Sequence, residues 1–353
     1  MKKSLIALAV AGAFAAPAFA ATSNVDVYGV MNIAIQDTDV TGSDMTILDN
    51  TSRIGFKGSE DLGGGLKAIW QIESALGGNG TTAIGTNATL GTRNTFVGLA
   101  GDFGTALMGK HDTPYKLGTG SLDIFGDTIG DYNLGRTDGV SLVNNTHDHR
   151  NGSALAYISP TWSGFHFAGA VVMNNGETGT ALNNGDTIDA TSVTGVYANG
   201  PLFASLSWQD AKVLNSKATK LGLGYTMGDA KVGFVYESIN AANDSDSWLL
   251  NGSYNMGPIV LKAQYGQVKF DNAVAAVAAV PASGCTLSGA GAITCTTPAV
   301  AAVAAVGKDQ SAWALGADYN LSKRTTAYFV YAHGDNDAGS DVSGWNLGVK
   351  HSF

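Results

Sequence analysis

The chain has 353 residues, a formal net charge of −9, and 47 glycines against seven prolines. An acidic balance argues against nucleic acid as a partner, because phosphates ask for clustered lysine and arginine. Beyond the first twenty residues no apolar run reaches the ~18 residues of a membrane-spanning helix, so composition also speaks against a helical membrane protein.

Residues 1–20 read as a cleaved export leader. Lys2 and Lys3 form its positive start, and residues 5–14 are an apolar stretch too short to span a bilayer. Ala18-Phe19-Ala20 is a small-x-small cleavage site, so the mature chain is expected to run from 21 to 353. The alternative, an anchor helix, is opposed by Pro17 and the small residues that end the run. An exported chain without a membrane helix is secreted, periplasmic or a barrel.

The elements that follow are strands, expected at 24–36, 51–59, 65–74, 92–99, 103–110, 151–158, 164–173, 189–199, 202–209, 217–226, 230–238, 246–255, 258–270, 311–320, 325–333 and 342–353. Period-two alternation defines them. Leu66, Ala68, Trp70 and Ile72 oppose Lys67, Ile69, Gln71 and Glu73. Leu202, Ala204, Leu206 and Trp208 oppose Phe203, Ser205, Ser207 and Gln209. Trp345, Leu347 and Val349 oppose Asn346, Gly348 and Lys350. Such segments fit a transmembrane barrel, with apolar residues toward lipid and polar ones toward the lumen. A soluble sandwich alternates as well. The connections favour the barrel, because short turns such as Gly63-Gly64-Gly65 and Asn199-Gly200-Pro201 take turns with long polar loops. Sixteen is an even count, as an antiparallel barrel with both ends on one side requires, and a barrel of that size leaves an aqueous interior. Aromatics near strand ends, Trp70, Trp208, Tyr225, Trp313 and Trp345 among them, suit the two membrane interfaces.

Two connections stand apart by length. Residues 111–150 exceed any hairpin's need. Residues 271–310 hold an Ala/Val octet twice, at 273–280 and 299–306, on either side of the only cysteines, Cys285 and Cys295. This connection is expected to be an external low-complexity arm. An oxidising compartment lets the two cysteines pair across their short loop, with two free thiols as the alternative.

Several stretches resemble the general porins of Gram-negative bacteria, especially the beta-proteobacterial branch. They include Ser52-Arg53-Ile54-Gly55-Phe56-Lys57-Gly58, Arg93-Asn94-Thr95-Phe96-Val97-Gly98-Leu99, Met108-Gly109-Lys110, Tyr157-Ile158-Ser159-Pro160, and the terminal Gly348-Val349-Lys350-His351-Ser352-Phe353. The resemblance runs in order along nearly the whole mature chain. It implies an all-β, 16-stranded antiparallel barrel in the bacterial outer membrane, assembled as a homotrimer, with a third loop, here 111–150, folded inward to narrow the pore. It also implies a C-terminal aromatic, Phe353, read by the barrel-assembly machinery. Outer-membrane lipids and lipopolysaccharide would surround the barrel, and ions and small hydrophilic solutes would pass through it. No cofactor, catalytic set or metal site is expected.

The chemistry of such a channel is electrostatic filtering at a narrow point. By resemblance, the basic side of the constriction falls on Arg53, Arg93, Lys110 and Arg150; the family usually has Arg where Lys110 stands, so a planar fork is lost there. Alternation turns Arg53 inward, since Ile54 and Phe56 take the other face, but Arg93 shares parity with Val97 and Leu99. Asp123, Asp127 and Asp131 recur at spacing four, so a short helical turn would set them on one acidic face. The plain alternative for all of these is a solvated loop edge. His147-Asp148-His149 has the residue types of a metal or catalytic site, but no further signature accompanies it. Rival functions are a substrate-specific channel, a barrel enzyme and an adhesin.

Overall fold

The computed structural model describes residues 25–39, 44–77, 90–132, 147–173, 187–241, 244–271, 283–287, 293–297, 309–336 and 341–353. The expected leader and cleavage site, residues 133–146 of the long connection, and both Ala/Val octets lie outside these residues.

In chain order the strands are β1 (Val25–Thr38), β2 (Thr46–Asp49), β3 (Arg53–Gly63), β4 (Leu66–Ala75), β5 (Thr95–Gly101), β6 (Gly104–Asp112), β7 (Arg150–Ile158), β8 (Phe165–Met173), β9 (Ile188–Asn199) and β10 (Leu202–Ala211). Then come β11 (Ser216–Met227), β12 (Ala230–Asn240), β13 (Ser245–Met256), β14 (Ile259–Phe270), β15 (Ser283–Leu287), β16 (Ile293–Thr297), β17 (Gln310–Asn320), β18 (Thr325–Asn336) and β19 (Val342–Ser352). Each wall strand pairs antiparallel with its neighbours, and β19 returns to β1 in the register Val30 to Ser352 through Thr38 to Gly344. Strands β2 and β3 both pair with β1, so they form one wall strand broken at 50–52. The wall therefore has sixteen strands and no open edge, which leaves no backbone group of the sheet to be satisfied by lipid. Hairpin β15–β16 stands apart from it.

The alternation sorts the two faces. Leu206, Leu250 and Leu315 are 59%, 49% and 53% exposed and point outward. Their neighbours Ser205, Asn251 and Ala314 are buried on the inner face. Outward aromatics gather in two rows. Tyr197, Tyr225, Tyr254 and Tyr319 sit beside the short turns. Trp248 and Tyr265, then Trp313, Tyr331 and Trp345, lie toward the other ends, with ring centroids 5.5 Å apart for Trp248 and Tyr265 and 5.4 Å for Trp313 and Tyr331. Rows of this kind hold a barrel at the headgroup level.

Closure depends on a missing side chain. Gly29 and Phe353 exchange backbone hydrogen bonds of 3.1 Å in both directions. A Cβ on Gly29 would stand 2.4 Å from the Phe353 ring, so only glycine lets the last ring settle over the first strand. Tyr328 lies over Gly348 in the same way on the inner face.

The largest buried apolar cluster among the described residues joins the wall to the connection between β6 and β7. Leu122, Phe125, Ile129 and Tyr132, all from the connection between β6 and β7, pack with Val235, Leu249, Ala314 and Val330 of the wall. Burying side chains of this size contributes roughly 1.5–3 kcal/mol each. Smaller apolar groups line the inner face of β6 to β9, among them Leu107, Ala156, Ala170 and Val172.

Candidate functional site

The 111–150 connection begins with a sequence that caps itself. Thr113 sits extended and its Oγ1 accepts from the Lys116 amide at 3.3 Å, while Pro114 takes the first helical position; together they start the single turn α1 (Pro114–Leu117). A 3-10 turn follows at Gly120–Leu122. The helical turn expected over 123–131 is absent. Asp127 is left-handed, with φ of 63°, which breaks any run that would align three carboxylates at spacing four.

Segment 113–132 is fastened to the inner faces of strands far apart around the ring. The Tyr115 amide donates to Ser192 Oγ on β9 at 2.9 Å, and its hydroxyl to Glu237 on β12 at 2.7 Å. Asn251 on β13 donates to the Leu122 carbonyl at 2.7 Å, and Gln264 on β14 donates to that of Gly130. On the opposite side Asn346 of β19 accepts from the Ile129 amide at 2.6 Å, and Asn32 of β1 donates to the Asp127 carbonyl at 2.9 Å.

Charged groups cluster at these attachments. Asp127 takes Arg53 at 3.1 Å and Lys350 at 3.3 Å, with a further bond from Thr51 in the break between β2 and β3. Burial raises the Asp127 carboxyl, but the two cations outweigh it and hold the group below the usual carboxylate range. Asp112 takes Arg150 and Lys116, each at 3.0 Å, and Asn94 from the side. Arg93 meets Glu73 at 2.6 Å, which also accepts from Tyr28. Lys262 pairs with Asp318 at 2.8 Å and lies over the Phe125 ring. Asp123 is hydrogen-bonded to Asp131, and burial together with that neighbouring carboxyl pushes the Asp123 carboxyl well above its ordinary range.

Between segment and wall lies an open cavity of about 650 Å³. Arg93, Lys116, Arg150, Lys262 and Lys350 line it, facing Asp112, Asp123, Asp127, Asp131, Asp148 and Asp318. Hydrated ions and small polar molecules fit such a volume, and the charges around it are nearly balanced.

The residues expected from sequence are placed unequally. Arg93 and Arg150 line the cavity, and Arg53 reaches it through Asp127. The parity objection to Arg93 disappears because β5 begins only at Thr95, so the alternation does not extend back to it. Lys110 does not join the cluster. It pairs with Thr95 across the sheet and shares its face with the outward Met108. The three aspartates divide, Asp127 going to the cations and Asp123 to Asp131. His147 is fully buried, and burial, helped by His149 and Lys220, lowers its imidazole to about 4, so it is neutral at working pH. Asp148 beside it is taken by Lys220, and no metal-holding group of three occurs among the described residues. Cys285 and Cys295 stand directly opposite each other in the β15–β16 hairpin.

Sequence reasoning missed Glu73, Lys220, Glu237, Lys262, Asp318 and Lys350 as partners. Their inward parity was readable, since Lys220, Lys262 and Lys350 all sit on polar faces of alternating strands. What each would meet was not.

Comparison with known proteins agrees with this architecture. Residues 7–339 match the family model of the Gram-negative porin. Outer membrane porin protein 32 of Delftia acidovorans is 30% identical over 386 aligned positions, which take in 100% of both chains. Among solved structures, the anion-selective porin from Comamonas acidovorans superposes with a TM-score of 0.69 at 21% identity, covering 94% of this chain and 100% of that one. OmpT of Vibrio cholerae, in-vitro folded and in its trimer form, gives a TM-score of 0.63 at 16% identity over 94% of this chain and 100% of its own. By a family match over most of its length and a relative aligned from end to end, the chain belongs to the Gram-negative porins.

Proposed function

We propose that the protein is a general-diffusion porin of the bacterial outer membrane, with segment 113–132 folded inward as the constriction of a water-filled channel. The observation that carries this is the set of hydrogen bonds tying the segment to inner-face residues on β12, β13 and β14 on one side and on β1 and β19 on the other. A connection held at both walls crosses the interior, and the charged cavity beside it is the passage that remains. Arg53, Arg93 and Arg150 supply its basic side, and Asp127 with the Asp123–Asp131 pair its acidic side. Each arginine has a carboxylate partner, so the field acts across the passage more than along it, and net selectivity is weak. The reading is a channel and not an enzyme.

The proposed assembly is a homotrimer, and the likeness to a porin solved in trimer form supports it. The aromatic rows face outer-membrane lipid and lipopolysaccharide, and Phe353 is the terminal signal for barrel assembly. Planar-bilayer recording tests the function directly. Unit conductance should rise in proportion to salt concentration, with a small reversal potential in a salt gradient. Conductance that saturates, or block by a low concentration of one solute, would show a substrate-specific channel instead.

A further inference from the structure

The attachments of the 111–150 connection differ in depth. At its tip, Asp127 meets Arg53 and Lys350, whose side chains are 21% and 35% exposed. Partly exposed pairs of this kind contribute less than fully enclosed ones. At its base the arrangement is closed. Lys220 of β11 is fully buried on the inner face. Its ammonium donates to both oxygens of Asp148, at 2.7 and 2.8 Å, and lies 3.2 Å from Glu237 Oε1 on β12. It also stands 4.4 Å over the ring of Tyr115, whose hydroxyl donates to the same Glu237 oxygen. Tyr115 lies near the start of the connection and Asp148 near its end. One wall ammonium therefore gathers the first and the last turn of the whole connection.

We propose that Lys220 is the positioning residue that fixes the aperture of the channel, a clasp holding both ends of the constriction connection against the β11–β12 wall. The inference rests on the reading of segment 113–132 as the constriction. The physical case is one of burial. Two carboxyl groups and one ammonium are removed from water together, and deleting the ammonium would leave buried carboxyl groups without a cation. Bringing the two ends together on one ammonium adds to the closure that the pairing of Asp112 with Arg150 begins. With the clasp intact, the hydrogen bonds along segment 113–132 and the pairs at its tip trim the position of a connection already held at its base. Without it, those attachments act on a connection whose base is loose.

Asp148→Asn is the cleaner test, because it cuts the tie on the connection and leaves Lys220 paired with Glu237 in the wall. Single channels of this variant should show substates and roughly twofold or greater open-channel current variance, as local opening of the base would give. Barrel stability, read as the temperature of the heat-modifiable shift on a gel, should stay near that of the wild type. The triple change Lys220→Met, Asp148→Asn, Glu237→Gln removes the buried charges together and should give the same noisy channel. Quiet channels of wild-type conductance from both variants would overturn the clasp. A large fall in the gel-shift temperature with unchanged conductance would also overturn it, by giving Lys220 a role in the barrel wall alone. A wild-type protein that forms no channel would defeat the porin reading itself, a result plainly distinct from either of these.

Discussion

Each arginine of the proposed constriction is one half of a pair, so replacing it does two things at once. Arg53→Ser removes a positive charge and leaves Asp127 with Lys350 as its remaining cation. Changing Arg93 and Arg150 likewise uncovers Glu73 and part of the charge on Asp112. The reversal potential in a salt gradient should move toward the cation limit for Arg53→Ser and further for Arg53, Arg93 and Arg150 changed together. The shift should grow at low salt, where screening over about 10 Å or more is weakest. A triple variant with the wild-type reversal potential at both high and low salt would remove these arginines from the pore. The Asp123–Asp131 pair gives a pH dependence of definite sign. Asp123 has its pKa raised, so it stays protonated above the ordinary carboxylate range and loses its proton only on further alkalinisation. That loss adds one negative charge to the passage and sets two carboxylates against each other. The stabilisation linked to the raised Asp123 carboxyl is complete below the unfolded pKa and disappears as pH rises through the folded one. Cation preference should therefore climb with pH in the wild type. The rise should vanish in Asp123→Asn, and an identical pH profile in that variant would refute the raised Asp123 carboxyl as its source.

At the scale of elements, the sixteen strands were legible because alternation is a local signal, repeated in each segment and independent of what lies across the ring. The proposed constriction was legible only as a long connection rich in aspartate. Asp127 finds its cations 74 and 223 positions away in sequence, and no local pattern encodes such a meeting. Spacing four misled for the same reason: α1 forms where Thr113 and Pro114 start it, while Asp127 turns left-handed to reach Arg53 and Lys350. The break between β2 and β3 was also invisible. It replaces a regular pair by residues 50–52, which lets Thr51 meet the tip of the connection, a bulge-like device that re-aims side chains. Hairpin β15–β16 sets Cys285 opposite Cys295, and in an oxidising compartment a disulfide is the expected state. Reduction should raise the mass of the native protein by two hydrogens and leave conductance unchanged, since the hairpin is not part of the main sheet. Free thiols in freshly purified protein would refute the bridge.

The whole molecule is a ring whose last residue touches its first strand. Phe353 supplies two backbone hydrogen bonds to Gly29 and the ring that covers it. Deleting Phe353 should leave unassembled chain in place of heat-modifiable trimers on a gel, and normal trimers would sink the claim. Gly29→Val should act in the same direction, because its side chain would occupy the space of the Phe353 ring. The break that seats Thr51 has a consequence in time. The groups that receive the tip of the constriction are Asn32 of β1, Arg53 of β3, and Asn346 and Lys350 of β19. They come from the two ends of the chain and become neighbours only when those ends meet. A sheet still open would lack this docking place, so the proposed filter is a property of the closed circle and of no single strand.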